Sequence, residues 1–194
     1  MTKIVSADFA AGRIPDGAVV TVSSSSALGC PDRVLRAIGE RFARDGHPRG
    51  ITTIHPIAAG DMYGVKGIDH IARDGLLARV IAGSYPSGSS DLPMPEIWKM
   101  VTEDRIPAYN VPSGILFDMH RDVAAKRPGV LTKVGLETFA DPVREGCAMK
   151  AKGAAAPIVA RVEFGGETWL HFPNIAPDVC ILRATTADER GNLT

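Results

Sequence analysis

Cys30, His55, Asp61, His70 and Glu137 are residues whose types could do chemistry in this sequence, and the Ser-rich stretch from Ser23 to Gly29 is where a ligand could approach the backbone. Cys30 stands just before Pro31 and DRVLRAIGERF, a run with helical spacing, so its thiol would meet the positive end of a helix dipole and could become a nucleophile. Nothing nearby in sequence supplies a base, and a small packed thiol is the commoner state of such a residue. His55, Asp61 and His70 could converge as a metal or acid/base group, yet no metal-ligand spacing links His47, His55, His70, His120 and His171. Histidines held by loop backbone are the more frequent case. Glu137 is the carboxylate set in a Gly/Thr loop at a strand end, a place for a nucleophile or base and equally for a solvated acid. Ser23 to Ser26 with Gly29 are small enough for close backbone approach, and a helix start behind them would favour an anion or a developing oxyanion. Without GxGxxG or GK[ST], that loop is equally readable as a Ser-rich turn capping a helix.

The elements that must position these residues repeat one pattern. Val19, Val20 and Val22 read as a buried strand; Pro31 fits a first helical position; Val34, Leu35, Ile38 and Phe42 recur at helical spacing until Gly46 and Pro48. The apolar runs ITTIHPI, LLARVIAG, IPAYN, VLTKV and DVCILR follow, each ending in a small-residue loop: AAGD, SYPSGSS, VPSG, GLETFADP and ATTADERGNLT. Helices are expected near Ile68 and Ile71, over 95–104 and over 115–127. KAKGAAAP (150–157) reads as a loop or disordered link, and 158–164 with 168–172 as a hairpin turning at Gly165 and Gly166. The fold class is therefore α/β: an open, mainly parallel sheet with helices on both faces and a β-hairpin near the C-terminus. In such a sheet all six small-residue loops would open on one edge, the usual ligand site. No helix follows the last strand, so residues 1–194 read as one domain cut before its end.

Composition narrows the partners. A chain of 194 residues supports one core, and 22 Lys+Arg balance 22 Asp+Glu without any basic run. Nucleic acid and anionic membrane are poor partners for it. Asp8, Arg13, Pro15 and Asp16 interrupt the N-terminus before a signal peptide could form, and no later stretch reaches membrane-span length. Three cysteines without CxxC spacing argue against a disulfide framework and a zinc site, and reduced thiols fit a cytoplasmic setting.

Several motifs in one order carry a resemblance: GHPR at 46–49, GIDHIA at 67–72, then AYNVPSG, RPGVLTKVGLETFADP and DVCILRATTADERGNLT. Together they resemble the amino-terminal half of the family I coenzyme A transferases, in the single-chain branch with propionate and acetate CoA-transferases. The resemblance implies two similar α/β domains and a glutamate nucleophile. That carboxylate attacks an acyl-CoA thioester, CoA thiolate returns on the acyl-glutamyl anhydride to leave a glutamyl-CoA thioester, and an acceptor acid reverses the steps in ping-pong order. Binding energy from the remote CoA moiety would drive the unfavourable anhydride step. The amino-terminal domain would shape the acyl pocket and offer backbone donors, each worth about 3 kcal/mol in the transition state.

By the same resemblance the substrate-binding positions are Ser24, Ser25, Ser26 and Gly29, then Ser113 with Gly114, then Gly135, Glu137 and Thr138. The chain departs from the family where SSSSALG replaces a GGFG-like loop, where Ser113 replaces Gln, and where Glu137 replaces a small residue. The family's nucleophile lies in a Glu-Asn-Gly motif of the second half, and no Glu-Asn-Gly occurs here. No catalytic residue is therefore expected within these residues, and Glu137 aligns with a pocket wall rather than the nucleophile. The resemblance implies acyl-CoA and short-chain carboxylic acids as substrates, a second domain or subunit, a homo-oligomer, coenzyme A as substrate, and neither cofactor nor metal. Two other readings remain open: a sugar-phosphate-binding or isomerase-like domain, and a non-catalytic subunit completed by a partner chain.

Overall fold

The computed structural model describes residues 3–87 and 91–194. Five strands form a parallel sheet: β1 (Val19–Val22), β2 (Ile51–His55), β3 (Leu77–Ala82), β4 (Ala108–Asn110) and β8 (Val179–Ile181). Between β4 and β8 the chain makes a three-stranded antiparallel sheet from β5 (Gly129–Thr132), β6 (Ala160–Phe164) and β7 (Glu167–Pro173). The helices are α1 (Ala7–Ala11), α2 (Asp32–Asp45), α3 (Glu96–Thr102), α4 (Ser113–Ala124) and α5 (Ala151–Ala154), with a 3-10 turn at Gly67–His70.

The parallel order is β4-β3-β2-β1-β8, so the chain steps outward from β1 to β4 and then returns to β1's other side. Val20 is paired with Thr53 on β2 and with Val179 on β8. β2 is buried along its whole length, which is why ITTIH reads as a continuous β-rich run. Two apolar clusters cover the two faces. Val20, Val22 and Ile51 pack with Leu35 and Ile38 of α2, with Ile68 and Ile71 around the 3-10 turn, and with Ile97 and Met100 of α3. Ile54, Ile81 and Tyr109 pack on the other face with Ile115, Leu116 and Met119 of α4 and with Val130, Leu170 and Phe172 of the antiparallel sheet. Gly39 sits inside α2 because a Cβ there would lie 2.2 Å from the His70 carbonyl oxygen, so the helix and the 3-10 turn approach at backbone distance.

The mainly parallel sheet with helices on both faces, and the hairpin, are as expected; three details differ. VLTKV does not join the parallel sheet: Val130 pairs with Phe172 and Thr132 with Leu170, antiparallel. The loop GLETFADP therefore issues from the second sheet, and five rather than six loops belong to the parallel edge. Residues 150–157 are not an unstructured link, since α5 forms there and Gly153 packs against the Ala108 carbonyl and Ala148. The five-residue α1, capped by Ser6 Oγ accepting from the Phe9 amide, was not expected. Residues 88–90 of the SYPSGSS loop lie outside the described residues.

Candidate active site

The carboxyl ends of β1 to β4 are tied into one continuous rim. Ser24 Oγ donates to the Ala58 carbonyl at 2.6 Å, and the Ser26 amide donates to the same oxygen at 2.8 Å. The Gly60 amide returns a bond to the Ser26 carbonyl at 3.0 Å. The Ala58 amide in turn donates to Ser84 Oγ at 2.8 Å, which joins the loop after β2 to the loop after β3. Gly83 closes the row: a Cβ on it would stand 2.1 Å from the Pro56 carbonyl oxygen and 2.3 Å from Ser113 Oγ. On the other flank the Ser23 amide donates to the Ile181 carbonyl at 3.0 Å, which brings β8 to the same edge. Small residues at these positions are what allow neighbouring strand ends to lie this close.

Ser24, Ser25, Ser26, Gly29, Ser113 and Gly114 therefore belong to loops gathered along one edge. Within the first loop, Ser25 and Leu28 exchange backbone bonds of 2.8 and 3.0 Å, and Ser26 and Gly29 take positive φ values of 56° and 65°. Ser113 and Gly114 open α4, whose N-cap Pro112 offers no side-chain acceptor; the Ile115 amide donates to the Pro112 carbonyl at 2.9 Å, and the Ser113 and Gly114 amides have no acceptor among the described residues. Gly135, Glu137 and Thr138 lie in a segment tied to the end of β4, where the Cys147 amide donates to the Phe139 carbonyl at 2.9 Å and the Asn110 amide to the Cys147 carbonyl at 2.8 Å. Their loop leaves β5; the Glu137 amide donates to Asp141 Oδ2 at 2.8 Å, and Arg161 Nη2 donates to Glu137 Oε1 at 2.5 Å. Among the described residues no hydrogen bond of their own joins these three to the rim.

The other candidates separate. Cys30 is 2% exposed, and burial together with the nearby Asp32 carboxylate pushes its thiol up to about 12, which suits packing and not nucleophilic attack. His55, Asp61 and His70 do not form a group. His70 Nε2 lies 3.1 Å from Asp32 Oδ1, and Asp61 Oδ1 accepts the amides of Tyr63, Gly64 and Val65. His55 is fully buried, with its ring edge-on to Tyr85. Among the described residues no cluster of His, Cys, Asp and Glu could hold a metal ion. The anion expected at the start of α2 would meet Asp32 there, although Arg33, Arg36 and Arg183 line the adjoining cavity.

Sequence reasoning passed over a second cavity, of about 420 Å³, on the α4 face of β1 and β8. It opens beside Ser23 and Ser24, at the point where the strand order reverses, which is the usual ligand crevice of such sheets. Phe117, Val123, Pro177 and Leu182 line it, with Thr21 and His120 among its polar residues. The pattern held the clue: in VVTV, Thr21 alternates against the buried Val20 and Val22, and His120 lies four residues from Leu116 on α4. Burial lowers the His120 pKa. No described helix is long and apolar enough to cross a membrane.

Comparison with known proteins agrees with this geometry. A sequence model of the family described as coenzyme A transferase matches residues 4–194. Caffeate CoA-transferase of Acetobacterium woodii is 37% identical over 194 residues, covering 100% of this chain and 36% of that protein. Acetate CoA-transferase subunit alpha of Escherichia coli (strain K12) is 24% identical over 193 residues, covering 100% of this chain and 74% of that subunit. The crystal structure of acyl-CoA transferase (YdiF) apoenzyme from Escherichia coli O157:H7 superposes with a TM-score of 0.87 at 28% identity, covering 100% of this chain and 36% of that one. The chain thus spans about a third of the length of two of these relatives, and it belongs to the coenzyme A transferase family.

Proposed function

We propose that this chain is the amino-terminal part of an enzyme that moves coenzyme A between an acyl-CoA and a carboxylic acid, with the nucleophilic glutamate outside these 194 residues. The observation that supports it is the stitched rim from Ser24 to Ser113, in a chain of this family, beside a cavity of acyl-group scale. In this reading the amides of Ser113 and Gly114 at the start of α4 and the backbone of Ser24 to Gly29 face the thioester carbonyl. They stabilise the oxyanion as the incoming glutamate carboxylate adds, and CoA leaves as thiolate. The thiolate then attacks the glutamyl carbonyl of the anhydride, the acyl group leaves as its acid, and the glutamyl-CoA thioester waits for the acceptor. In this reading coenzyme A enters as a substrate, and the transfer uses neither metal nor cofactor. The setting is cytoplasmic, where Cys30, Cys147 and Cys180 stay reduced, and the assembly is a homo-oligomer acting on short-chain acids.

Treatment of the complete enzyme with acyl-CoA and then hydroxylamine should convert one glutamate to its hydroxamate, located by peptide mass spectrometry outside residues 1–194. A hydroxamate on Glu137, or turnover of acyl-CoA with acetate by the 194-residue chain alone, would refute the assignment. A second reading has one observation in its favour: the subunit alpha relative has a length of which this chain covers 74%. In that case the nucleophile is on a separate partner chain, and co-purification with a second polypeptide carrying the hydroxamate would identify it.

A further inference from the structure

The three-stranded antiparallel sheet ends on an open edge. Its order is β5-β7-β6, so β6 pairs with β7 on one side and, among the described residues, with no strand on the other. β6 and β7 form a hairpin through Gly165 and Gly166, whose φ values of 64° and 78° fit a two-residue type I′ turn. The residues flanking such a turn make a hydrogen-bonded pair, here Phe164 with Glu167, and these pairs alternate along the ladder. Ala160, Val162 and Phe164 therefore spend their backbone groups on β7, while the amides and carbonyls of Arg161 and Glu163 point away from it. Among the described residues these outward groups have no partner. Ala160, Arg161, Glu163 and Phe164 are exposed and Val162 is half-buried, so the edge is uncovered. An uncovered edge is a template for another strand, and charges on it ordinarily keep one away. The two charges of β6 are instead of opposite sign.

That arrangement complements itself. Antiparallel pairing of ARVEF with a second ARVEF about Val162 sets Arg161 opposite Glu163 of the second copy and Glu163 opposite its Arg161. The same register sets Val162 against Val162 and the small Ala160 against the bulky Phe164. Both charge pairs then fall on the residues whose backbone groups face outward, so one register satisfies the free backbone and pairs the charges. Moving the centre by one residue sets Arg161 against itself or Glu163 against itself. Arg161 keeps Nη1 for the second copy, since Nε and Nη2 are the nitrogens on Asp141 and Glu137. We propose that β6 is a homodimer interface, in which two copies of this chain pair antiparallel across a two-fold axis at Val162 and join two three-stranded sheets into one of six strands. The proposal rests on the homo-oligomer of the preceding reading only for the presence of a second copy, and no part of it uses the transfer chemistry.

The test uses the complete enzyme. On the axis Val162 and its counterpart form a non-hydrogen-bonded pair with Cα atoms about 4.5 Å apart, within disulfide reach. Val162→Cys under mild oxidation should therefore give a species of twice the chain mass on non-reducing gels, with the peptide around position 162 linked to its own copy by mass spectrometry. Phe164→Cys alone should not link, because the residue opposite it is Ala160, whereas Ala160→Cys with Phe164→Cys in one chain should. Those two positions are exposed, so they serve if Val162→Cys fails to fold. Adding Glu163→Arg to Val162→Cys should slow linking about 10-fold, since two opposite-charge pairs become like-charge pairs. In the unaltered enzyme the amides of Arg161 and Glu163 should be protected from deuterium exchange. Free exchange at both amides, linking by Phe164→Cys alone, or an undiminished rate with Glu163→Arg would each overturn the proposal. Protected amides without any linked peptide would overturn it too, and would put a strand of the same chain on the edge. Transfer activity enters none of these readouts, and the hydroxamate experiment judges that reading separately.

Discussion

Arg161 holds Asp141 with two nitrogens: Nε donates to Oδ1 at 2.8 Å and Nη2 to Oδ2 at 2.6 Å. The Asp141 carboxylate is buried and also accepts the amides of Glu137 at 2.8 Å and Val143 at 3.2 Å, so one side chain fastens the loop after β5 to strand β6. The Arg161 guanidinium, followed by these amides, holds its carboxyl well below the usual carboxylate range of about 3.8. A depressed folded pKa means stability that is complete above the unfolded value and is lost as pH falls toward the folded one. Asp141→Ala should cost about 2 kcal/mol at pH 7, the scale of bonds to a charged group. In urea unfolding the gap between wild type and variant should shrink only below pH 3.8. A gap that already closes between pH 7 and pH 5 would contradict this account.

Glu137 occupies a left-handed backbone position with φ of 62°, and its exposed carboxylate pairs with the same Arg161. An exposed ion pair adds little, whereas a side chain in the left-handed region costs about 1 kcal/mol relative to glycine. Glu137→Gly should therefore be more stable than Glu137→Ala by about 1 kcal/mol in urea unfolding, because both lose the pair and only glycine relieves the backbone. Glu137→Gln in the complete enzyme should leave transfer measurable. Abolished transfer in a folded Glu137→Gln would move Glu137 into the catalytic group.

The parallel sheet was legible because its central strands are largely buried, ITTIH throughout and LARVIA over its last three residues, so they read as apolar runs closed by small residues. VLTKV misled for a physical reason. A run of four or five residues carries little periodicity, and its partners, Phe172 and Leu170, lie some forty residues away. The half-buried alternation, with Val130 inward and Leu131 outward, was present but brief. KAKGAAAP suggested disorder by composition, yet its small residues are there so that Gly153 can pack against the backbone of β4. The rim loops could be located from sequence because smallness at strand ends is itself the requirement. His120 could not, since the hydroxyl it meets, that of Thr21, is 99 residues away in the chain.

His55 gives the fold a pH dependence between about pH 4 and 6.5. Its ring is buried, and neither nitrogen has a partner within hydrogen-bond geometry among the described residues. Burial lowers its pKa from 6.5 to about 4, against a weak opposing pull from the backbone of Ile57 and Ser84. Between those values the unfolded chain binds the proton and the folded chain does not, so stability rises with pH across the window. Conformational stability should fall by about 3 kcal/mol as pH drops from 6.5 to 4, with His120 adding in the same direction. His55→Phe, close in shape, should remove most of that slope. An equally steep slope in the variant would assign the effect to other groups.

Gly83 and Gly114 lie on the same rim and should respond oppositely to a methyl group. At Gly83 the new Cβ would meet the Pro56 carbonyl oxygen at 2.1 Å and Ser113 Oγ at 2.3 Å, and a backbone oxygen has no rotamer in which to step aside. Gly83→Ala should therefore cost about 1 to 3 kcal/mol and displace the start of α4, where the Ser113 and Gly114 amides are held. At Gly114 no atom lies within 4 Å of the new Cβ, and the residue is helical. Gly114→Ala should raise stability by about 0.5 to 1 kcal/mol through the lower entropy of its unfolded chain. If the Gly114 amide faces the thioester carbonyl, the same methyl should lower transfer in the complete enzyme while the fold grows firmer. Thermal unfolding of both variants beside transfer rates separates the two roles: Gly83 keeps the rim closed, and Gly114 leaves it open to a substrate.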